Sequence, residues 1–336
     1  MTGTTASETA MLLRRAAERA IKAPSIHNTQ PWQFVVTENW LEIHADDSRR
    51  LDVLDPLGRQ LVISCGCSLF NARVAISASG YEPLVHRALD PDRPEIVARV
   101  QVGARRHWPG SNALDLAIDK RRTNRRAFTG DAVPDWLETE LQLAARADQS
   151  LLFAISRPEH RATVARLNDL ADQIERGDSA YLAEIAAWTT DDPGRRDGVQ
   201  AASLPYAGAF ANNRDPLPIR AFDVRGMGWL PASSRSDADQ CLLLLCSHDD
   251  EPRSWLRAGE ALEHVWLKVT DRGFWASPLT QMVEVPETRE RLRAELALAA
   301  EPQLLLRVGQ APETVSTLRR PASEVVVDRR RLSGPM

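Results

Sequence analysis

The 336 residues carry 42 basic and 46 acidic side chains, a net charge of −4, and 43% of them are hydrophobic. That apolar share supports a folded core and excludes global disorder, while the mild acidity argues against nucleic acid or an anionic membrane as the main partner. The length fits two domain-sized halves or one large domain. The polar start at 1–8 is followed by no apolar leader and no apolar run approaches the length of a membrane span, so a cytoplasmic location is expected. Cys65, Cys67, Cys241 and Cys246 have neither zinc nor redox spacing and read as small buried hydrophobes; no metal is expected.

In chain order, residues 8–22 read as an amphipathic helix with Ser7 as N-cap. The next stretch, A-P-S-I-H-N-T-Q-P-W-Q-F at 23–34, stops it. Pro24 and Pro31 fix φ, and Ser25 and Asn28 favour turns by bonding nearby backbone. The chain therefore displays polar groups on a stiff loop, which serves equally as a ligand grip or as a connector anchored by Trp32. Strands are expected over 32–36 and 40–44 around a turn at Glu38-Asn39. A long, mostly apolar helix over 58–79 ends at Gly80, extended segments follow at 82–86 and 95–102, and a helix over 113–121 runs into the basic cluster K-R-R-T-N-R-R at 120–126.

Beyond Pro134 come a helix over 136–146, a strand over 151–155 and helices over 161–175 and 179–188. The irregular stretch at about 189–237 holds Tyr206, Phe210, Phe222, Met227 and Trp229, which favours an ordered lid over a linker. A strand over 241–247, a helix over 253–272 ending at Gly273, a turn over 274–281, a helix over 287–298 and a strand over 303–308 precede a C-terminal arm at 310–336.

The segments 66–80 and 259–273 share length and glycine ends, and the order helix, strand, long helix, strand recurs. This reads as two fused copies of one unit, imitating a two-fold dimer within one chain, with the halves at 1–110 and 111–336. The repeat is compatible with a monomer. The proline-rich loop survives only in the first copy; Gln149-Ser150-Leu151-Leu152-Phe153 takes the place of Gln30-Pro31-Trp32-Gln33-Phe34.

The 23–34 loop resembles the A-P-S-x-x-N-x-Q-P-W-x-F segment of the nitroreductase family of FMN proteins, and the order of the other motifs resembles its Acg-like branch, over roughly residues 8–328. The resemblance implies an α+β nitroreductase fold with mixed sheets packed by helices. It also implies one FMN per chain, completed across the pseudo-dimer interface by Pro24, Ser25, Ile26 and Asn28, with Gln30 bracing the loop. The cluster resembles the family's R-R-S-x-R segment, which implies that Arg121, Arg122 and Thr123 meet the ribityl-phosphate end and that Arg125 reaches N1/O2 of the ring. Without the resemblance the cluster is equally a solvated helix end. Ser277, Pro278, Leu279 and Thr280 resemble the segment along the flavin edge, with the Thr280 N–H toward N5, though Pro278 also fits a plain helix terminator. Arg319 and Arg320 resemble the basic pair that closes over the phosphate; a disordered tail is the other reading. His27 lies in the loop and could face the pocket, although a hydrogen-bonded structural residue is the favoured reading. No hydrolytic motif, P-loop or dinucleotide fingerprint is present.

The function implied is an oxidoreductase passing hydride from NAD(P)H through FMN to a small-molecule acceptor such as a nitroaromatic or quinone. No residue acts as a covalent catalyst, and Arg125 and the Thr280 backbone tune the ring. The alternative is a protein that stores or sequesters FMN with little turnover.

Overall fold

A computed structural model describes residues 6–87, 92–126, 128–129, 131–204, 220, 222 and 241–329. Most of the lid predicted within 189–237 and the end of the arm, 330–336, lie outside the described residues.

The first helix, α1 (Ala6–Ala20), buries Leu13, Ala16, Ala17 and Ala20 along one face. It begins one residue before Ser7, so that serine sits in the first turn and is not the N-cap. The 23–31 loop contains a single 3-10 turn and leads into the hairpin of β1 (Trp32–Val36) and β2 (Leu41–Ala45). The chain continues through α2 (Arg59–Ala78), β3 (Tyr81–His86), β4 (Ile96–Arg105), α3 (Ser111–Lys120), α4 (Asp135–Ala147), β5 (Leu151–Ala154), α5 (Pro158–Gly177) and α6 (Ser179–Ala187). Two short parallel strands, β6 (Thr189–Thr190) and β7 (Val199–Gln200), open the lid segment. The rest is β8 (Cys241–Ser247), α7 (Pro252–Asp271), β9 (Trp275–Leu279), α8 (Gln281–Glu284), α9 (Pro286–Glu295), β10 (Glu301–Gly309), α10 (Ala322–Val325) and β11 (Val326–Asp328).

Two of these elements correct the sequence reading. Ser277 and Pro278 suggested a turn, but 275–279 form a strand; β9 lies at the edge of its sheet, where the missing N–H of Pro278 breaks no ladder. The arm is not irregular throughout: β11 adds in parallel to β1, Val326 opposite Phe34. Three residues are too few to show a period.

The strand orders are β11-β1-β2-β4-β3 and β5-β8-β10-β9. Without β11, the two sheets have the same order and the same antiparallel pairing. The repeat extends to single residues. Gln30 and Gln149, just before β1 and β5, both take left-handed backbone at φ 50° and 61°, a conformation non-glycine residues rarely adopt.

One apolar core runs from the first sheet through α1, α2, α4 and α7 to the second. At its centre α2 and α7 cross glycine on glycine. A Cβ on Gly66 would lie 2.1 Å from the Leu256 carbonyl oxygen, and one on Gly259 would lie 2.0 Å from that of Ile63. Gly66 therefore matches Gly259 and Ile63 matches Leu256, a two-fold relation at atomic contact. By the same spacing Cys67 matches Glu260 and Arg73 matches Trp266. Contrary to expectation, α2 has the length and apolarity of a membrane span. It is nevertheless a core helix, buried along almost its whole length. The four cysteines are free, three of them buried and Cys241 half-buried.

On one side of the crossing, Arg73 bonds Asp148 at 2.6 Å and Glu260 at 2.7 Å. Arg87 grips both oxygens of Glu260, and His264 Nδ1 lies 2.8 Å from Asp148. On the other side lies a cleft.

Candidate flavin site

The cleft has a volume of about 790 Å³, part of it open to solvent. The 24–27 loop forms one wall, held by Ile26 N donating to Ser64 Oγ (3.1 Å) and Gln30 N donating to Ser25 Oγ (2.9 Å). Gln60, Ile63, Ser64 and Cys67, one face of α2 at helical spacing, and Leu262 and Trp266 of α7 form the floor. The opposite wall is 277–280, joined by Thr123 and Arg125. These two are placed by backbone pairing: 121–125 runs along the free edge of β9, with Thr123 bridged to Ala276 and Asn124 N donating to the Ala276 carbonyl at 3.0 Å. Fully buried Asn124 also donates from Nδ2 to the Pro312 carbonyl, fixing the start of the arm.

Nine of the residues named from sequence thus share one cleft: Pro24, Ser25, Ile26, Thr123, Arg125, Ser277, Pro278, Leu279 and Thr280. Arg121, Arg122 and Arg319 line a neighbouring cavity with Lys22, Glu18 and Asp119. The two spaces share a wall, because the buried Arg121 guanidinium lies 4.9 Å from the ring of Trp266. Arg122 turns back to the carbonyls of Asp119 and Arg121, as basic residues at a helix end do. Arg319 donates to the Ala23 carbonyl at 3.1 Å, and burial, reinforced by Arg121, pushes its pKa down to about 9.

Asn28 and Arg320 line neither space. The Asn28 amide donates to the Gly198 carbonyl at 3.1 Å and the Leu318 carbonyl at 3.2 Å, tying the lid segment and the arm to the loop. Arg320 faces Glu324 and Asp46, while its N–H donates to Gln30 Oε1. Gln30 braces the loop as expected, donating to the Arg196 carbonyl at 2.8 Å.

Several residues of the cleft were not among the site residues named from sequence. Gln60 and Ser64, polar and one turn apart in an apolar helix, were the available signal. Arg220 and Phe222 reach the cleft from the lid segment. Buried Arg220 is held by Glu284, by Tyr181 and by Glu175 at 3.6 Å. His27 does not carry the hydrogen bonds of a structural histidine: among the described residues neither buried ring nitrogen has a partner, and the ring meets Phe222 edge-on at 5.5 Å.

The polar groups of the cleft fit an anionic, hydrogen-bonding ligand such as FMN. Among the described residues Arg125 has one hydrogen-bond partner, Ser203 Oγ at 3.3 Å, and lies 5.3 Å from the Phe222 ring. No described carboxylate pairs with it, and burial alone pulls its pKa down to about 10. Ser277 Oγ and Gln60 Nε2 are buried without partners. In the neighbouring space, Arg121 and Arg319 face one buried carboxylate, Glu263, whose Oε1 is 3.4 Å from Arg121 Nε. Two guanidiniums against one carboxylate leave room for another anion.

Glu263 has a measurable consequence of its own. Burial raises its carboxyl from 4.5 to about 7 although Arg121, Asn71 and Arg319 pull the other way. A carboxyl raised by folding stabilises fully below its unfolded value, and that stability is lost as pH rises through about 7. Urea unfolding should show Glu263→Gln losing less stability than wild type between pH 5 and pH 8.5, by on the order of 2–3 kcal/mol. Parallel pH curves would remove Glu263 as the cause.

The sequence is 33% identical over 320 residues to a Mycobacterium tuberculosis protein named "Putative NAD(P)H nitroreductase Rv3131", covering 94% of this chain and 90% of that one. The chain belongs to the nitroreductase family. This nitroreductase-family chain is also 31% identical over 324 residues to the protein of the same description called acg, from the same organism, covering 94% and 95%. An uncharacterized relative there, Rv3127, is 29% identical over 327 residues, covering 94% and 92%. Among solved structures it is similar to the FMN-dependent nitroreductase NfnB of Mycobacterium smegmatis in complex with NADPH, with a TM-score of 0.39 and 18% identity over 64% of this chain and 96% of that one. No family model matches the chain.

Proposed function

We propose that this chain is an FMN-dependent NAD(P)H oxidoreductase with one flavin site, made where the halves 1–110 and 111–336 meet, acting on a nitroaromatic or quinone acceptor in the cytoplasm. The observation that carries this reading is Arg125, a desolvated guanidinium with no described carboxylate, set in a cleft rimmed by the family loop. When bound, FMN supplies the hydride chemistry. The protein binds, orients and keeps water out. Arg121, Arg122 and Arg319 would hold the phosphate, and Thr123 the ribityl chain. Arg125 would stabilise negative charge at the N1/O2 edge, with 277–280 along the opposite edge. Ile63, Leu262, Trp266 and Leu304 give an apolar floor. Asn28 would act indirectly, through the lid and the arm.

Two loops of one type would imply two sites, but the second copy lacks the prolines and the asparagine. Titrating apo-protein with FMN should saturate at one flavin per chain. A stoichiometry near two would overturn the single-site reading, and no uptake would overturn the function itself.

A second reading, storage of FMN with little turnover, is favoured by one observation: Arg220 and Phe222 already occupy the cleft wall, with Arg220 gripped by Glu175 and Glu284. Anaerobic addition of NADPH or NADH separates the two. Rapid bleaching of the flavin band supports the enzyme; slow or absent bleaching, with dithionite still effective, supports storage.

A further inference from the structure

We propose that His27 is the acceptor-binding residue of this cleft, donating a hydrogen bond to an oxygen of a nitro group or quinone; this rests on the oxidoreductase reading above. The residue is 6% exposed, and among the described residues neither ring nitrogen has a hydrogen-bond partner. A neutral imidazole carries one donor and one acceptor, and burying both unmet is costly enough that native structures rarely do it. His27 belongs to the lining of the cleft, with the Phe222 ring against its imidazole, so a ligand reaches the ring nitrogens only by taking the place of that phenyl ring.

The backbone holds the ring there at a cost. His27 has φ 43° and ψ 25°, left-handed values that a Cβ disfavours. The turn is closed by Asn28 N donating to the Ser25 carbonyl (3.0 Å) and Thr29 N donating to the Ile26 carbonyl (2.8 Å). Strain kept at a residue whose polar atoms have no internal partner points to an external one.

Charge narrows the class of ligand. Burial, then Arg220, then Arg125 push the imidazole well below its usual pKa, so at neutral pH it offers a single N–H and no charge. No carboxylate contributes to that shift. A neutral donor between two guanidiniums suits an oxygen rich in electron density and disfavours a cationic group. Position separates this role from flavin binding. The ring packs on Phe222, whereas the flavin edges are assigned to the 24–26 loop, Arg125 and β9. Phe222 touches both groups, its ring 5.5 Å from that of His27 and 5.3 Å from the Arg125 guanidinium. A planar acceptor that displaces Phe222 would meet both groups.

The test uses FMN-loaded full-length chain, reduced with stoichiometric dithionite so that NAD(P)H plays no part, then mixed anaerobically with menadione or nitrofurazone in a stopped-flow cell. His27→Gly removes the ring and tolerates the backbone; His27→Asn keeps an N–H donor and is also at ease with positive φ. In His27→Gly the half-saturating acceptor concentration should rise about tenfold, the effect of one lost hydrogen bond. The limiting rate should change less, and His27→Asn should recover most of the loss. Identical reoxidation curves for wild type and His27→Gly would overturn the proposal. So would an equal loss of FMN affinity in His27→Gly, which would assign the ring to the flavin. Failure of wild-type chain to take up FMN is seen before any acceptor is added, and overturns the function reading and this inference together.

Discussion

Gly259→Ala should cost the chain roughly 1–3 kcal/mol or more, the range for overpacking a close-packed core, and Gly259→Val should leave no soluble protein. In most helix interiors the first change is favourable, because alanine is the better helix former by up to about 1 kcal/mol. The sign reverses here because a Cβ would sit 2.0 Å from the Ile63 carbonyl oxygen and 2.8 Å from the Gly66 Cα. These are backbone atoms, and no rotamer change relieves the overlap. Separating α2 from α7 would also open the core shared by both sheets. Gly177→Ala is the control: it lies at the end of α5, with nothing within 4 Å of a new Cβ, and should be neutral or mildly stabilising. Urea midpoints of the two variants decide the matter. Equal midpoints would mean that the helices do not cross at these glycines.

Arg125→Met should weaken FMN binding by roughly 1.5–3 kcal/mol, about 10- to 150-fold, the worth of a charge-assisted hydrogen bond. The same change should leave the apo-chain as stable as wild type or make it more so. Arg125 is desolvated, its pKa drops to about 10 from burial alone, and no described carboxylate offsets that cost, whereas methionine fills similar volume without charge. Opposite signs for stability and affinity mark a residue kept for its ligand. Isothermal titration with FMN and urea unfolding of the apo-chain measure the two terms. A loss of both together would make Arg125 a structural residue.

What the sequence displayed was local chemistry. The 23–34 loop was legible because prolines and turn formers act on their own neighbourhood, and the 120–126 cluster was legible as a run of guanidiniums. Its division between two spaces was not, since that depends on Asn124 bonding a strand that comes about 150 residues later. The matching glycines of 66–80 and 259–273 were visible as a repeat. Their role at the crossing was not, because close approach is a property of two helices together. β9 was misread because Pro278 is a breaker everywhere except at a sheet edge. For His27 the structural reading was favoured over one facing the pocket because a histidine in a turn commonly finds a partner nearby; only the folded cleft shows that, among the described residues, its ring nitrogens have none.

The two sides of the helix crossing make a final point about freedom to vary. In a symmetric dimer of identical subunits, every substitution lands twice, so a residue that suits one pocket is imposed on its mate. Fusion of the two copies removes that constraint. Where the cleft has Cys67 and Trp266, the matching positions carry Glu260 and Arg73, ion-paired at 2.7 Å and joined by Asp148, Arg87 and His264. A charge knot of that kind could not be acquired by a homodimer without placing the same knot in the proposed flavin cleft. On the proposed reading of two fused copies, covalent linkage would let one side of the crossing bind the flavin while the other serves as mortar between the halves.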